Sequence, residues 1–184
     1  MGIIGLAIVL GLGVFIIWLI YTYNRFVGKQ SRIDEVWDEA DVHLKLRHDL
    51  LPELIKSARD RMRNEDGVLD RIEELGRLTA GKDITPDIEG YENELSSLLR
   101  RLRETAKKDS ELMLDEAFVK LLGELVSMEG RAASACDRHN ELVREFNTSI
   151  GRFPATLIVG FLHFRPREMR IFKAFDNDAA AAQS

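Results

Sequence analysis

Residues 24–54, NRFVGKQSRIDEVWDEADVHLKLRHDLLPEL, decide the fold. Apolar residues recur in and just beyond this stretch at steps of three and four, which predicts one helical stripe. The stripe consists of Ile33, Val36, Trp37, Ala40, Leu44, Leu51, Leu54, Ile55 and Ala58. Arg47 occupies a stripe position where leucine is expected. Pro52 lies inside the helix, removes one backbone donor and frees the carbonyl of His48.

The chain before this stretch is apolar. From residue 1 to residue 24 no side chain is charged, and residues 3–23 are long enough as a helix to cross a hydrocarbon core of about 30 Å. A cleaved signal peptide would begin with basic residues and end at a small-residue cleavage site, and neither is present. We therefore predict a transmembrane anchor over residues 1–24. Gly28 marks either a flexible point after the anchor or a position through which the helix continues.

Aromatic residues gather at the C-terminal end of the apolar segment, and basic residues follow it. An aromatic belt at the lipid headgroups is predicted from Trp18, Tyr21 and Tyr23. Positive charge follows at Arg25, Lys29 and Arg32, and Arg25 is assigned to the membrane interface. By the positive-inside rule these charges predict a single-pass protein of the cell (inner, cytoplasmic) membrane, with its N-terminus outside and its bundle in the cytoplasm.

Composition excludes several classes of protein. The 31 acidic and 26 basic residues give a net charge of −5, which does not favour a nucleic-acid partner. The single cysteine, Cys136, cannot form an intrachain disulfide or a zinc ribbon, and its place on an apolar stripe predicts a buried, inert thiol.

The soluble region is predicted to be all-α. Four amphipathic stretches at residues 31–63, 68–79, 88–107 and 115–150 predict an antiparallel four-helix bundle over residues 25–152, with long first and last helices. Gly123 and Gly130 lie inside the last stretch, where each costs about 1 kcal/mol relative to alanine. We expect close packing against a neighbouring helix to offset that cost.

The tail is apolar and then basic. Residues 153–175 begin FPATLIVGFLHF, which is too short to span a bilayer, and continue with basic residues among aromatic ones. This composition suits an anionic lipid surface, and packing of the tail on the bundle is the equal alternative. The membrane-interface residues predicted here are Phe161, Phe164, Arg165 and Arg167. Residues 176–184 are expected to be disordered.

Arg47 requires partners, because an uncompensated buried charge costs several kcal/mol. The candidates are Glu129, Asn140 and Asn147 on the last helix, together with the His48 carbonyl that Pro52 frees. We expect this polar layer to fix the register of the helices. A ligand site at the same residues is the alternative.

The sequence shows no constellation of catalytic or metal-binding residues. None of the four histidines follows a glutamate at the Glu-x-x-His spacing of di-metal bundles. No glycine-rich phosphate loop and no nucleophile elbow is present. We therefore expect neither an enzyme nor a protein with a metal or cofactor.

Two signatures resemble the LemA family. In residues 23–55 the resemblance is carried by Tyr23, Asn24, Arg47, Asp49, Leu50 and Pro52. In residues 138–154, RHNELVREFNTSIGRFP, it is carried by Asn140, Val143, Phe146, Asn147, Phe153 and Pro154. His139 departs from the family, which usually has an aromatic residue there, and DSELMLDEAF replaces the tyrosine–proline turn that commonly precedes the last helix.

The resemblance implies a single-pass membrane protein with an antiparallel helical domain and no established catalytic chemistry. Similar proteins include one that takes part in magnetosome membrane formation. We therefore expect a non-catalytic protein that self-associates and organises membrane or membrane-protein assemblies. A regulatory adaptor of a membrane enzyme, such as a quality-control protease, is the alternative, and a small-ligand sensor is a more remote one.

Overall fold

The computed structural model describes residues 2–59, 67–82, 86–160 and 162–172. These residues form six helices and no strand, which confirms the all-α prediction with long first and last helices. The helices are α1 (Gly2–Arg59), α2 (Val68–Thr79), α3 (Pro86–Ala106), α4 (Ser110–Met113), α5 (Glu116–Ile150) and α6 (Thr156–Val159). The predicted disordered end, residues 176–184, lies outside the described residues.

Helix α1 continues through Gly28 without a break. The bounds of the other long helices follow from their terminal residues. Gly67 precedes α2 at φ 72°, a left-handed backbone conformation that glycine adopts without strain. Pro86 starts α3, where its missing N–H has no helical acceptor to lose. Asp115 caps α5 by accepting hydrogen bonds from the backbone N–H groups of Ala117 (3.0 Å) and Phe118 (3.3 Å).

The chain divides into two compact units. Unit 1 comprises Met1–Val36 and Arg138–Met169, and unit 2 comprises Trp37–Asp137 and Arg170–Ser184. Their limits do not follow the segment boundaries predicted at residues 24 and 152.

Unit 2 is the predicted bundle. Its helical segments are residues 37–59 of α1, α2, α3, α4 and residues 116–137 of α5, and they enclose one apolar core. Arg59 pairs with Asp70 (2.5 Å), whereas His48 lies against Thr79 (3.2 Å), so α1 and α2 run antiparallel. The core residues with no exposed surface include Leu54, Ala58, Ile72, Leu75, Leu95, Leu99, Ala106, Leu112, Phe118 and Leu125.

Unit 1 has its own core, in which three phenylalanine rings meet. Phe26 on α1, Phe146 on α5 and Phe164 on the tail have centroids 5.2–6.4 Å apart in edge-on contacts. Ile33, Val143 and Ile150 complete the cluster. Phe164, which the sequence predicts at the membrane interface, is therefore buried in this cluster with residues of α1 and α5.

The expectation for two glycines of α5 is also wrong. Gly123 and Gly130 are exposed, and a Cβ at either position would meet no atom within 4 Å. Both lie on the outward side of α5, since seven residues are nearly two helical turns. Close packing therefore does not offset their cost to the helix.

Candidate functional site

Arg47 lies at the centre of unit 2 with no exposed side-chain surface. Its guanidinium donates hydrogen bonds to three side chains: to a Glu92 carboxylate oxygen at very short range, to Glu129 Oε1 at 3.1 Å and to Ser96 Oγ at 2.9 Å. Both carboxylates are buried, with 4% and 0% of their side chains exposed. We call Arg47, His48, Thr79, Glu92, Ser96 and Glu129 the polar layer.

His48 extends the polar layer towards α2. Its Nε2 lies 2.7 Å from Glu92 Oε1 and 3.2 Å from Thr79 Oγ1, and the Thr79 hydroxyl donates to the Leu75 carbonyl (2.9 Å). Burial, helped by the positive charge of Arg47, lowers the pKa of His48 to about 4. The buried Nδ1 has no partner within the described residues, so a second proton there would be unsatisfied. The ring is therefore neutral at pH 7 and donates Nε2–H to Glu92.

Glu129 is the second carboxylate of the layer. Burial raises its pKa, and the positive charge of Arg47 opposes that effect. Burial also lowers the pKa of Arg47, although Glu129 counters it. Glu129 Oε2 has no hydrogen-bond partner among the residues described. These are the properties of a buried ionic network that holds α1, α3 and α5 in register.

The end of the described chain covers the polar layer, and we call residues 170–172 the cover segment. The Phe172 ring centroid lies 5.7 Å from Arg47 Cζ, in cation–π range. On α3, the Glu89 carboxylate accepts a hydrogen bond from the Ile171 N–H, and Asn93 Nδ2 donates to the Ile171 carbonyl (2.9 Å). Side chains of α3 therefore hold the backbone of the cover segment over Arg47.

Cys136 lies beneath the cover segment. Its Sγ donates to the Arg170 carbonyl at 3.5 Å, and burial raises the pKa of the thiol to about 11. The thiol is therefore protonated at pH 7, which suits a structural residue and not a nucleophile.

The structure brings together only part of the predicted polar layer. Arg47 and Glu129 meet as expected, but Asn140 and Asn147 belong to unit 1 and have other partners. Asn147 Nδ2 donates to the Arg167 carbonyl and its Oδ1 accepts from the Arg167 N–H, both at 2.9 Å. Asn140 Oδ1 lies 3.4 Å from His139 Nδ1. Asparagine amides carry both a donor and an acceptor, which fits Asn147 for pairing with a backbone rather than with a guanidinium.

Sequence reasoning missed Glu92, Ser96 and Thr79. A signal for Glu92 was present, because it occupies one position of the buried stripe of α3. That stripe recurs at alternating steps of four and three, at Ile88, Glu92, Leu95, Leu99, Leu102 and Ala106. A charged residue on such a stripe is the same irregularity that identified Arg47.

A groove of about 450 Å³ opens beside the polar layer, between α1 and α2. Apolar side chains form its floor: Leu51, Pro52, Ile55 and Ile72. Charged residues form its rim: Asp49, Lys56, Arg59, Glu73 and Arg77. A Cβ on Gly76 would come within 3.1 Å of Leu51 Cδ1, so a glycine lets the two helices approach closely here. Pro52, which was predicted as part of the polar layer, is exposed and lines this groove.

The apolar part of α1 is the one candidate membrane span among the described residues. Its most apolar 18-residue window has a mean hydropathy of 3.0 and no buried residue. Of the predicted interface residues, Trp18 is half-buried, whereas Tyr21, Tyr23 and Arg25 are exposed. Arg165 is exposed, Arg167 pairs with Asp34 at 3.1 Å, and Phe161 lies outside the described residues.

Within the described chain, no group of three or more histidine, cysteine, aspartate or glutamate side chains is arranged to hold a metal ion. The sequence profile of the LemA family matches residues 36–183, most of the chain. The chain belongs to the LemA family. No curated protein matches it significantly.

The region matched to the LemA family contains the polar layer, the groove between α1 and α2 and the cover segment. The apolar part of α1 precedes the matched region. In this LemA-family protein the polar layer thus belongs to the helical region that matches the family. The unbroken helix α1 joins the candidate span to that region.

Proposed function

We propose that this LemA-family protein is a non-catalytic, membrane-anchored scaffold that self-associates and organises membrane or membrane-protein assemblies. The carrying observation is the apolar part of α1, whose most apolar 18-residue window contains no buried residue. Ile3, Leu10 and Ile17 expose 87%, 62% and 69% of their surface. Such a continuous apolar surface is not kept in water, and its length matches a bilayer.

The unbroken α1 supports the anchoring role. Helix α1 runs without a break from the apolar segment to Arg59, so no loop separates the apolar segment from the residues that follow it. The polar layer supports a non-catalytic role, because Arg47 and its carboxylates are buried and the cover segment lies over them. A group that no substrate reaches is suited to holding helices in register.

Self-association is supported by small residues within the apolar segment. A Cβ at Gly5, Gly11 or Gly13 would meet no atom within 4 Å, so none of the described residues occupies the space beside them. In lipid, helices associate through close backbone approach at small residues rather than through the hydrophobic effect. A second copy of α1 is the partner of matching shape.

Light scattering of the full-length chain in detergent tests this proposal. We expect one discrete assembly, which dissociates in Ala7→Leu/Gly11→Leu because leucine blocks close approach of the spans. Val9→Leu, which enlarges a side chain that is already large, is the control and should keep the assembly. A monomeric wild-type chain would contradict self-association, and recovery of that chain in the soluble fraction of lysed cells would contradict the anchor.

The adaptor role is the second candidate, and the groove between α1 and α2 favours it. The groove combines an apolar floor with a charged rim, as surfaces that recognise another protein commonly do. A photo-crosslinking residue at Lys56 on the rim, compared with one at the exposed Arg101, distinguishes the two candidates in native membranes. Crosslinks to another membrane protein from Lys56 alone favour the adaptor, whereas crosslinks only between copies of this chain favour the scaffold.

A further inference from the structure

A polar groove of about 430 Å³ lies in unit 1, immediately beyond the apolar part of α1. Four cationic side chains line it: Arg25, Lys29, Arg144 and Arg152. Two carboxylates, Glu141 and Glu145, and two hydroxyls, Thr148 and Ser149, complete the lining. With four positive and two negative side chains, the groove carries a net charge of +2. We call it the basic groove.

The position of the basic groove relates it to the membrane. Arg25 follows Tyr23, the last aromatic residue of the apolar segment, by two residues, which is about 3 Å of helix rise. Lys29 is one turn further along, and its Nζ donates to Ser149 Oγ at 2.8 Å, which joins α1 to α5 at this level. If α1 crosses a bilayer, the groove therefore lies at the depth of the lipid headgroups.

Three of the cations in the basic groove are not held in ion pairs. Within the part of the chain that the structure describes, the guanidinium groups of Arg25, Arg144 and Arg152 have no hydrogen-bond or ion-pair partner. All three are exposed. Guanidinium groups bind phosphate oxygens with two parallel hydrogen bonds, and basic pockets at the ends of membrane helices bind anionic headgroups.

We propose that the basic groove binds the headgroup of an anionic phospholipid from the membrane in which α1 is anchored. The arginines contact the phosphate, whereas the hydroxyls of Thr148 and Ser149 already donate to the backbone carbonyls of Arg144 (2.8 Å) and Glu145 (2.6 Å). Glu141 and Glu145 oppose binding, so the net attraction depends on the four cations outnumbering them. The inference rests on the proposed anchoring and adds a lipid-selective site to it.

Native mass spectrometry of the full-length chain in detergent micelles tests the site. The probes are palmitoyl-oleoyl phosphatidylglycerol, which is anionic, and the choline and ethanolamine lipids with the same acyl chains, whose headgroups have no net charge. We expect one phosphatidylglycerol to be retained at concentrations where the other two are not. Equal retention of all three lipids would overturn the proposal.

Two pairs of substitutions locate the site. Arg144→Gln/Arg152→Gln should weaken phosphatidylglycerol binding about 30-fold, since each basic residue near an anionic surface contributes about fivefold. Arg101→Gln/Arg131→Gln removes the same charge from exposed arginines outside the groove and should change binding less than threefold. Equal weakening by both pairs would show a general charge effect and overturn the proposal.

A third pair predicts a gain of binding, which a misfolded protein cannot produce. Glu141→Gln/Glu145→Gln removes the opposing carboxylates and should tighten binding several-fold; unchanged or weaker binding would count against the groove. A soluble phosphate is separated from a lipid by competition. Displacement of the lipid by inorganic phosphate at low millimolar concentration would show a soluble-anion site and overturn the lipid assignment.

Incorporation of every variant into phosphatidylcholine vesicles is measured first. Each variant keeps residues 1–24, so failure of the wild-type chain to incorporate would contradict the anchor itself. Normal incorporation without any headgroup preference would contradict the basic groove alone. The two results are therefore distinguishable.

Discussion

Removal of Arg47 should destabilise unit 2 through the two carboxylates that it leaves behind. In Arg47→Met, Glu92 and Glu129 remain buried, with 4% and 0% of their side chains exposed, and lose their countercharge. Breaking a buried ion pair by removing one partner costs about 3–5 kcal/mol. We therefore expect the free energy of unfolding of unit 2 to fall by that amount at pH 7.

The fluorescence of Trp37 provides the assay. The chain has two tryptophans, so Trp18→Phe leaves Trp37 as the reporter, and Trp37 lies in unit 2 beneath the Arg170 guanidinium (5.1 Å). Urea unfolding in detergent then gives the free energy for this background and for each variant. Arg101→Met, on the exposed side of α3, is the control and should change it by about 0.5 kcal/mol or less.

The triple variant Arg47→Met/Glu92→Gln/Glu129→Gln separates lost charge balance from lost packing. It removes all three buried charges, so it should recover most of the unfolding free energy that Arg47→Met loses. Lower pH should also recover part of the unfolding free energy that Arg47→Met alone loses. Without Arg47 the effect of burial, which already raises the pKa of Glu129, is less opposed, so the folded state binds more protons and regains stability as pH falls through that raised pKa. An Arg47→Met variant as stable as its parent, or a triple variant as unstable as the single one, would refute the reasoning.

Three further predictions concern other residues. Because the pKa of His48 falls to about 4 on folding, from an ordinary 6.5, the folded state binds fewer protons between these values. As the pH falls from 6.5 to 4, the wild-type chain should therefore lose about 3 kcal/mol of unfolding free energy that His48→Gln does not lose. Urea unfolding across that pH range measures the difference. Equal pH dependence of the two chains would contradict the prediction. Gly123→Ala and Gly130→Ala should each raise the unfolding free energy by about 1 kcal/mol, because both sites are open and helical, and a loss of stability in the same assay would show an unrecognised contact. Asn147→Leu should speed hydrogen exchange at the Arg167 amide, because it removes the oxygen that accepts this hydrogen bond. Asn147→Asp keeps an acceptor oxygen and should have the smaller effect. Equal exchange rates in the two variants would exclude the Asn147 side chain as the acceptor.

Much of the fold could be predicted from the spacing of apolar residues. The bounds of α2 were predicted without error, and those of α3 and α5 to within two residues, because each helix buries one stripe and ends at a glycine, a proline or a capping aspartate. The same reasoning predicted that Arg47 is buried and gave Glu129 as one of its candidate partners, beside Asn140 and Asn147, which lie elsewhere. A charge on an apolar stripe must find an opposite charge on another stripe.

The remaining features could not be predicted because they depend on backbone groups or on which face of a helix is covered. The two ends of the Asn147 amide bond the backbone of Arg167, and Glu89 with Asn93 bond the backbone of Ile171. No side-chain pattern marks a backbone partner. Gly123 and Gly130 were misjudged because a glycine inside a helix has the same sequence signature on a covered face and on an open one.

The division of the chain into units has a consequence for synthesis. Unit 1 combines the first 36 residues with residues 138–169, so its N-terminal part is made long before its partner. The intervening residues, about a hundred, take roughly 5–20 s to translate at 5–20 residues per second. During that time the Phe26 side of α1 lacks the α5 residues that cover it in the folded chain, and the apolar segment is exposed as well. Early delivery of the nascent chain to a bilayer would shelter the apolar segment during this wait, so the order of the chain itself favours membrane insertion before folding.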